Sequence, residues 1–308
     1  MTLDRNSKNF SFLGQIGILL GLIGGGLLVG SVISAGVWIG MTGRSVFSME
    51  SDLQNPKYYN AFLIMQAIST LFMFFLPVIV FAKICYKDAY RFLGFKTSFN
   101  YKQVLWVVVI LALTFPLSGA LAELTKIIPI PKNWEIKFKA MEAARESQEA
   151  AIININSFYK YAMSMLIIGV LPGIFEEVLF RGGIQNIFTR WTKNPWVAII
   201  ATSIIFSIIH LSYYGFFVRF ALGIILGLVF YYSGSLWLAI ILHFLYNGLQ
   251  VTALYVLNLK PDMPASKDIE QNFPAWAGVI ALALIVYAFK KLRDLSTEER
   301  EKFVYEEP

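Results

Sequence analysis

Cysteine and histidine are scarce in this chain, which has one cysteine, Cys85, and two histidines, His210 and His243, among 308 residues. A single cysteine cannot form a disulfide within the chain, so we expect Cys85 to be a packing residue. The two histidines are not spaced as in HExxH, so the helix that binds zinc in many metalloproteases is absent. Any chemistry that needs an imidazole must therefore use these two positions.

Charged residues are also scarce, at 15% of the chain, whereas 57% of the residues are hydrophobic and the mean hydropathy is +0.61. This composition is too apolar for an ordinary soluble domain. Only helices or closed barrels satisfy the hydrogen bonds of the backbone in lipid. About eight apolar runs approach the ~20 residues that span a bilayer. We therefore predict one all-α polytopic membrane domain, residues 1–308, with about eight transmembrane helices. The runs are Phe12–Ile39, Ala61–Cys85, Val104–Leu124, Tyr161–Thr189, Trp196–Leu211, Phe216–Tyr232, Leu236–Leu257 and Ala275–Phe289.

The net charge of +6 does not indicate a nucleic-acid partner, because the positive residues are concentrated between the apolar runs. The clusters fall on one side of the membrane if the N-terminus, with Arg5 and Lys8, is on that side too. The positive-inside rule then predicts a multi-pass protein of the cell (inner or cytoplasmic) membrane, in contact with lipid, with both termini inside. The clusters are Lys83, Lys87, Arg91, Lys96 and Lys102; Arg190 and Lys193; and Lys290, Lys291 and Arg293.

Two polar segments flank the predicted catalytic core of about 158–257. The first, about 127–157, contains the Ala- and Glu-rich stretch Met141–Ala151 and is expected to form a surface helix on the extracytoplasmic side. The second is a mixed-charge tail, 293–308, which we expect to be solvated. Neither segment contains a recognisable chemical motif.

Two adjacent carboxylates, Glu176 and Glu177, interrupt the fourth apolar run. A charge near the bilayer centre costs at least ~2.5 kcal/mol, so two side by side need a partner or a function. On a helix, Arg181 lies four residues after Glu177 on the same face and can pair with it. Glu176 is turned by about 100° from that face. We therefore predict that Glu177 and Arg181 support each other and that Glu176 is left for chemistry.

Both histidines and one asparagine lie in or at the end of later predicted spans. His210 ends the fifth span, and His243 and Asn247 share one helical face in the seventh because they are four residues apart. Pro172 lacks the amide that would bond the carbonyl of Ile168, so a kink there would open a polar cavity beside the glutamates. This set is difficult to explain by packing alone.

The set allows two mechanisms of amide hydrolysis. In the first, Glu176, His210 and His243 hold a divalent metal, usually Zn²⁺, with a water in the open position. In the second there is no metal. Glu176, helped by His210, acts as general base on a water, and His243 and Asn247 donate hydrogen bonds to the oxyanion. The second mechanism gives Asn247 a role, since amide side chains are uncommon zinc ligands.

The three motifs resemble those of the CPBP family, which includes the type II CAAX prenyl endopeptidases and the bacteriocin-processing and abortive-infection-like membrane proteins. The motifs are EExxxR at Glu176–Arg181, FxxxH at Phe206–His210 and HxxxN at His243–Asn247. Their order and their placement in successive late spans agree with the family. The resemblance covers Tyr161 to about Leu257, and no motif covers the first three spans or the tail.

The resemblance implies a glutamate-dependent intramembrane endopeptidase that acts on membrane-associated peptides or proteins. Family members have also been described as metalloproteases, so Zn²⁺ is the cofactor to test. The roles that it implies are a water-activating Glu176 with His210 beside it, an oxyanion pair of His243 and Asn247, and supporting positions at Glu177 and Arg181.

The alternative is a non-catalytic membrane protein that uses the same polar cavity. Buried Glu and His also form proton relays in transporters, and an immunity or interaction partner could share the fold. No clear repeat of the first half occurs in the second, although many transporters have such a repeat. Peptide cleavage that is lost in Glu176→Ala distinguishes the peptidase from these alternatives.

Overall fold

The protein is an all-α bundle, as predicted. The computed structural model describes residues 7–52, 55–95, 99–153, 155–259 and 273–306, and these ranges contain no strand. Short helical turns at Val46–Ser48, Met49–Asp52, Pro56–Tyr58 and Ala89–Leu93 lie between the long helices. The long helices are α1 (Phe12–Thr42), α2 (Tyr59–Cys85), α3 (Tyr101–Ile127), α4 (Lys132–Ile153), α5 (Phe158–Thr192), α6 (Pro195–Ile208), α7 (Phe216–Ser233), α8 (Leu236–Asn258) and α9 (Ala275–Glu306).

Seven of the described helices are long and apolar enough to cross a bilayer, and α6 is the eighth apolar helix. The predicted fifth span, Trp196–Leu211, is shorter than expected because α6 ends at Ile208 and has only 14 residues. At 1.5 Å per residue it is about 21 Å long, against a hydrocarbon core of about 30 Å. After Ile208 the amides of His210 and Leu211 bond three residues back, so the chain turns away from the helix axis.

One end of the bundle brings together the beginning of the chain and the positive clusters between helices. The Lys8 amide donates to the Cys85 carbonyl at 2.8 Å, and Phe12 stacks on Trp191. The Leu236 amide donates to the Gly94 carbonyl at 2.8 Å. We call this the terminal end. Arg5 and Lys96, which belong to the predicted positive clusters, lie outside the described residues.

The opposite end carries α4, and we call it the α4 end. There the Tyr59 hydroxyl lies 3.2 Å from the Ser164 hydroxyl, and Tyr159 donates to the Asn60 side chain at 3.2 Å. The predicted polar segment 127–157 therefore forms a helix between α3 and α5 on the side opposite the terminal end. Helix α4 is longer than the predicted surface helix at Met141–Ala151.

Helix α9 extends beyond the predicted span Ala275–Phe289. The helix continues through the segment predicted as a solvated tail to Glu306. Leu292 and Ser296 are buried, and the Gln103 amide of α3 donates to the Ser296 hydroxyl at 3.0 Å. The first residues of the predicted solvated tail therefore pack on α3, and residues 307–308 lie outside the described ranges.

Wide π-helical turns occur at three places where α2 and α5 approach the centre of the bundle, at Leu71–Phe75, Met165–Val170 and Val178–Gln185. Such turns are frequent at functional sites. The last one contains Gly182 and Gly183. The helix continues past them to Thr192, and a methyl group at Gly183 would lie 2.8 Å from Val78. These glycines therefore allow neighbouring segments, including Val78 of α2, to pack closely against α5.

Candidate active site

The side chains of the first and third motifs meet because α5 and α8 pack with little space between their backbones. A methyl group at Gly173 would lie 3.1 Å from the Phe244 amide nitrogen. One at Gly169 would lie 3.7 Å from the Gly248 Cα atom. Glycine at these positions allows the two helices to approach closely, so that residues following Gly173 on α5 can contact residues beside Phe244 on α8.

Glu177 lies at the centre of the resulting network and is completely buried. The Arg181 Nη1 group donates to Glu177 Oε1 at 2.7 Å, which confirms the predicted pair. The His243 Nδ1 group donates to the same oxygen at 2.8 Å. Arg181 also donates from Nη2 to the Gly223 carbonyl of α7 at 3.1 Å. Glu177 thus binds two partners, of which the sequence predicted only Arg181.

The bond to Glu177 determines how His243 presents its imidazole. A carboxylate accepts, so His243 carries a proton on Nδ1, and its Nε2 atom has no hydrogen-bond partner among the described residues. A carboxylate in this position fixes the orientation of the ring. When protonated, His243 can donate from Nε2 to another group while Nδ1 stays bonded to Glu177.

Glu176 differs from its neighbour in having no hydrogen-bond partner within the ranges that the structure describes, although only 8% of its surface is exposed. The charges of His243, Glu177, Arg181 and Arg219 are close enough to act on it. Arg181 bonds to Glu177 and not to Glu176, as the i to i+4 spacing predicts. The structure therefore leaves the Glu176 carboxylate unbonded beside a network in which Arg181 and His243 both bond Glu177 Oε1, while Glu177 Oε2 and Arg181 Nε have no hydrogen-bond partner among the described residues.

Phe206 connects the second motif to this network. Its buried ring lies 4.8 Å from the Arg181 guanidinium carbon, 5.0 Å from the His210 ring and 6.1 Å from the His243 ring. An arginine over an aromatic face is a favourable contact, more so when it is desolvated. The sequence placed Phe206 at the start of FxxxH but gave it no role. Its position explains why an aromatic residue occurs four residues before His210.

His210 lies just beyond α6 and is half-buried. Its Nδ1 group donates to the Phe206 carbonyl at 2.7 Å. In the neutral ring this fixes the proton on Nδ1 and makes Nε2 the basic nitrogen. His210 therefore joins the other site residues through Phe206, whose backbone it bonds and whose ring it contacts.

Asn247 makes a contact that follows from the proline in α5. Pro172 cannot donate to the Ile168 carbonyl, and the Asn247 amide nitrogen donates to that carbonyl at 3.2 Å. One of its two N–H groups is thereby used to hold α8 against α5. The second has no partner in the described part of the chain and remains available to another acceptor.

The predicted metal ligands Glu176, His210 and His243 are not arranged as a metal site. No group of three or more His, Cys, Asp or Glu residues in the described ranges could hold a metal ion. The steps proposed below use only groups of the protein and water.

The sequence between residues 158 and 249 matches a family model described as Type II CAAX prenyl endopeptidase Rce1-like. The matched segment contains all three motifs, and the match confirms the resemblance to the CPBP family. No curated protein and no solved structure matches the chain. At the level of the family, the match supports a CAAX-protease-like intramembrane endopeptidase in a multi-pass membrane protein.

Proposed function

We propose that the protein hydrolyses peptide bonds of membrane-associated peptides or proteins, with Glu176 as the base that activates water. The observation that carries this proposal is the difference in hydrogen bonding between two adjacent buried glutamates. Glu177 is bonded to Arg181 and His243, whereas Glu176 has no hydrogen-bond partner in the described residues. A buried, unbonded carboxylate beside a fixed charged network suits a general base.

In the first step of the proposed reaction, Glu176 takes a proton from water while the water oxygen attacks the carbonyl carbon of the substrate. The carbonyl electrons move to oxygen and form a tetrahedral oxyanion. Protonated His243 donates to this oxyanion from Nε2, and Asn247 donates from its second N–H. Glu177 balances the charge on His243 through the 2.8 Å bond to Nδ1.

In the second step the oxyanion collapses, the carbon–nitrogen bond breaks, and the proton on Glu176 passes to the leaving nitrogen. His210, whose Nδ1 group donates to the Phe206 carbonyl, assists Glu176 in orienting the water. The products are a carboxylic acid and an amine, so the reaction consumes only water. Arg181 does not touch substrate in this scheme and acts by holding Glu177.

The test is cleavage of membrane-associated peptides by the purified protein in detergent or liposomes, with products identified by mass spectrometry. Glu176→Gln keeps the shape of the side chain and removes the base, so we expect at least a ~10²-fold loss of rate. Glu123→Gln is the matched control, because Glu123 is a half-exposed carboxylate of α3 that pairs with Lys126. Unchanged cleavage in Glu176→Gln would exclude this mechanism.

A well-folded wild-type protein that cleaves no peptide from a broad membrane-anchored library would favour the non-catalytic alternative. Proton uptake by liposomes containing the protein would then test the transporter. The two alternatives are separable because the transporter moves a proton without forming a new peptide terminus.

A further inference from the structure

The loop that carries His210 joins α6 to α7 on the side of the bundle that faces the α4 end. Helix α6 starts at the terminal end, directly after α5, and at 14 residues it extends only about 21 Å. Helix α7 has 18 residues, or about 27 Å, and returns to the terminal end. We call residues 209–215, which join the two helices, the His210 loop. The loop therefore faces the α4 end, where Ser212 and Tyr213 contact α4.

The His210 loop contains a residue with unfavourable backbone geometry. Leu211, directly after His210, has a φ angle of 50°, in the left-handed region that residues other than glycine rarely adopt. Its side chain is 69% exposed, so burial of that side chain does not enforce the conformation. Such a conformation costs roughly 1–3 kcal/mol and persists only where surrounding contacts impose it.

Helix α4 supplies contacts to the two residues that follow Leu211. The Ser212 hydroxyl donates to Glu142 Oε2 at 2.9 Å, and the Gly215 amide donates to that same hydroxyl at 3.0 Å. The Phe138 ring stacks on the Tyr213 ring, with centroids 4.5 Å apart and planes within 4°. Ser212 is buried although it is in a loop.

These contacts use the one face of α4 that is not exposed. Among the described side chains of α4, from residue 132 to residue 144, only Glu135, Phe138 and Glu142 are half-buried, and the others are exposed. Their spacing of three and four residues puts them on one side of the helix. Helix α4 therefore turns its sheltered face towards the His210 loop.

We infer that Glu142 and Phe138 are positioning residues of the active site, acting on His210 through Ser212 and Tyr213. This inference rests on the peptidase function proposed above. Glu142 holds the Ser212 hydroxyl and Phe138 holds the Tyr213 ring. These two contacts impose the left-handed backbone conformation of Leu211. His210 is thereby held at the place from which it orients water for Glu176.

The kinetic test compares Glu142→Ala, Glu142→Gln and Glu135→Ala with the wild type. A small displacement of a catalytic group can reduce turnover by up to ~10²-fold, so we expect Glu142→Ala to lower kcat at least roughly tenfold with KM nearly unchanged. Glu142→Gln retains an oxygen that accepts from Ser212 and should restore most of kcat. Glu135→Ala removes a neighbour on the same face that pairs with Lys139 and should change neither constant.

Other kinetic outcomes would overturn the inference. A wild-type kcat in Glu142→Ala would show that the bond to Ser212 does not position His210. A raised KM with unchanged kcat would show instead that α4 binds substrate. Equal loss in Glu142→Ala and Glu142→Gln would point to the charge of Glu142 rather than to its bond with Ser212.

A spin label at residue 211 tests the same inference without measuring activity. Leu211→Cys adds an exposed thiol to a chain whose own cysteine, Cys85, is buried. We expect an immobilised spectrum that becomes mobile when Glu142→Ala is added and stays immobilised when Glu135→Ala is added. An unchanged spectrum in both would refute the inference. Absence of cleavage with the expected spectra would refute the proposed function alone.

Discussion

Removing Arg181 should destabilise the protein severely because it leaves Glu177 buried with one charge partner fewer. The side chains of Arg181 and Glu177 are 1% and 0% exposed, so water cannot replace the lost guanidinium. Breaking a buried ion pair by removing one partner costs about 3–5 kcal/mol. Arg181→Ala also loses the bond to the Gly223 carbonyl and the contact with Phe206.

The size of this effect can be compared with the whole stability of a domain. A loss of about 3–5 kcal/mol raises the unfolding equilibrium constant by roughly 10² to 10⁴, because each 1.4 kcal/mol is a factor of ten. Native proteins have only about 5–15 kcal/mol in total. We therefore expect a large fall in the yield of monodisperse protein and in the melting temperature measured in detergent.

Lys139→Ala is the matched control for Arg181→Ala. The Lys139–Glu135 pair has the same i to i+4 spacing and a nitrogen–oxygen distance of 2.6 Å, but its side chains are 65% and 40% exposed. Exposed pairs contribute little, so this variant should melt like the wild type. Equal melting temperatures for Arg181→Ala and Lys139→Ala would refute the importance of the buried pair.

A second substitution separates the stranded charge from lost packing. Glu177→Gln, added to Arg181→Ala, removes the carboxylate charge and should recover part of the melting temperature. A further decrease would show that the charge of Glu177 is not the cause of the instability. Cleavage should stay low in the double variant, because it no longer has the carboxylate charge of Glu177 that orients His243.

Three further predictions follow from the site and its surroundings. Asn247→Ala should lower kcat by about 10²- to 10³-fold, as for other oxyanion donors, and should moderately lower the melting temperature because the Ile168 carbonyl loses its donor. A kcat equal to that of the wild type would show that Asn247 does not bind the oxyanion. Gly173→Ala should cost about 1–3 kcal/mol through overpacking against Phe244 and reduce cleavage, whereas Gly17→Ala, at a position with nothing within 4 Å, should not destabilise in the same melting assay. Treatment with a zinc chelator should leave cleavage unchanged, and activity that is lost on chelation and restored by zinc would support the metal mechanism instead.

The sequence predicted the parts of the site that depend on helical spacing. The pairing of Glu177 with Arg181 follows from a separation of four residues, and the orphaned carbonyl of Ile168 follows from the ring of Pro172. Both are local properties, so composition and spacing were enough to find them. The all-α membrane fold was predictable for the same reason, because long apolar runs have few other structures available.

The contacts between distant segments could not be predicted in this way. His243 is 66 residues from Glu177 and 33 from His210, and no pattern in the sequence shows which of these it bonds. The bond from Ser212 to Glu142 joins a loop to a helix 70 residues earlier. The predicted end of α6 was too late because Ile209 and Leu211 are apolar like the residues before them, whereas the amides of His210 and Leu211 bond three residues back and turn the chain.

The length of α6 has a consequence for the lipid around the protein. Its outward side chains from Trp196 to Ile208 are apolar and exposed, so they form a stripe of only about 18 Å at 1.5 Å per residue. Acyl chains beside α6 must shorten or disorder to match this stripe, at a cost of fractions of a kcal/mol per Å of mismatch. We therefore expect turnover to be faster in vesicles of short-chain than of long-chain phosphatidylcholine.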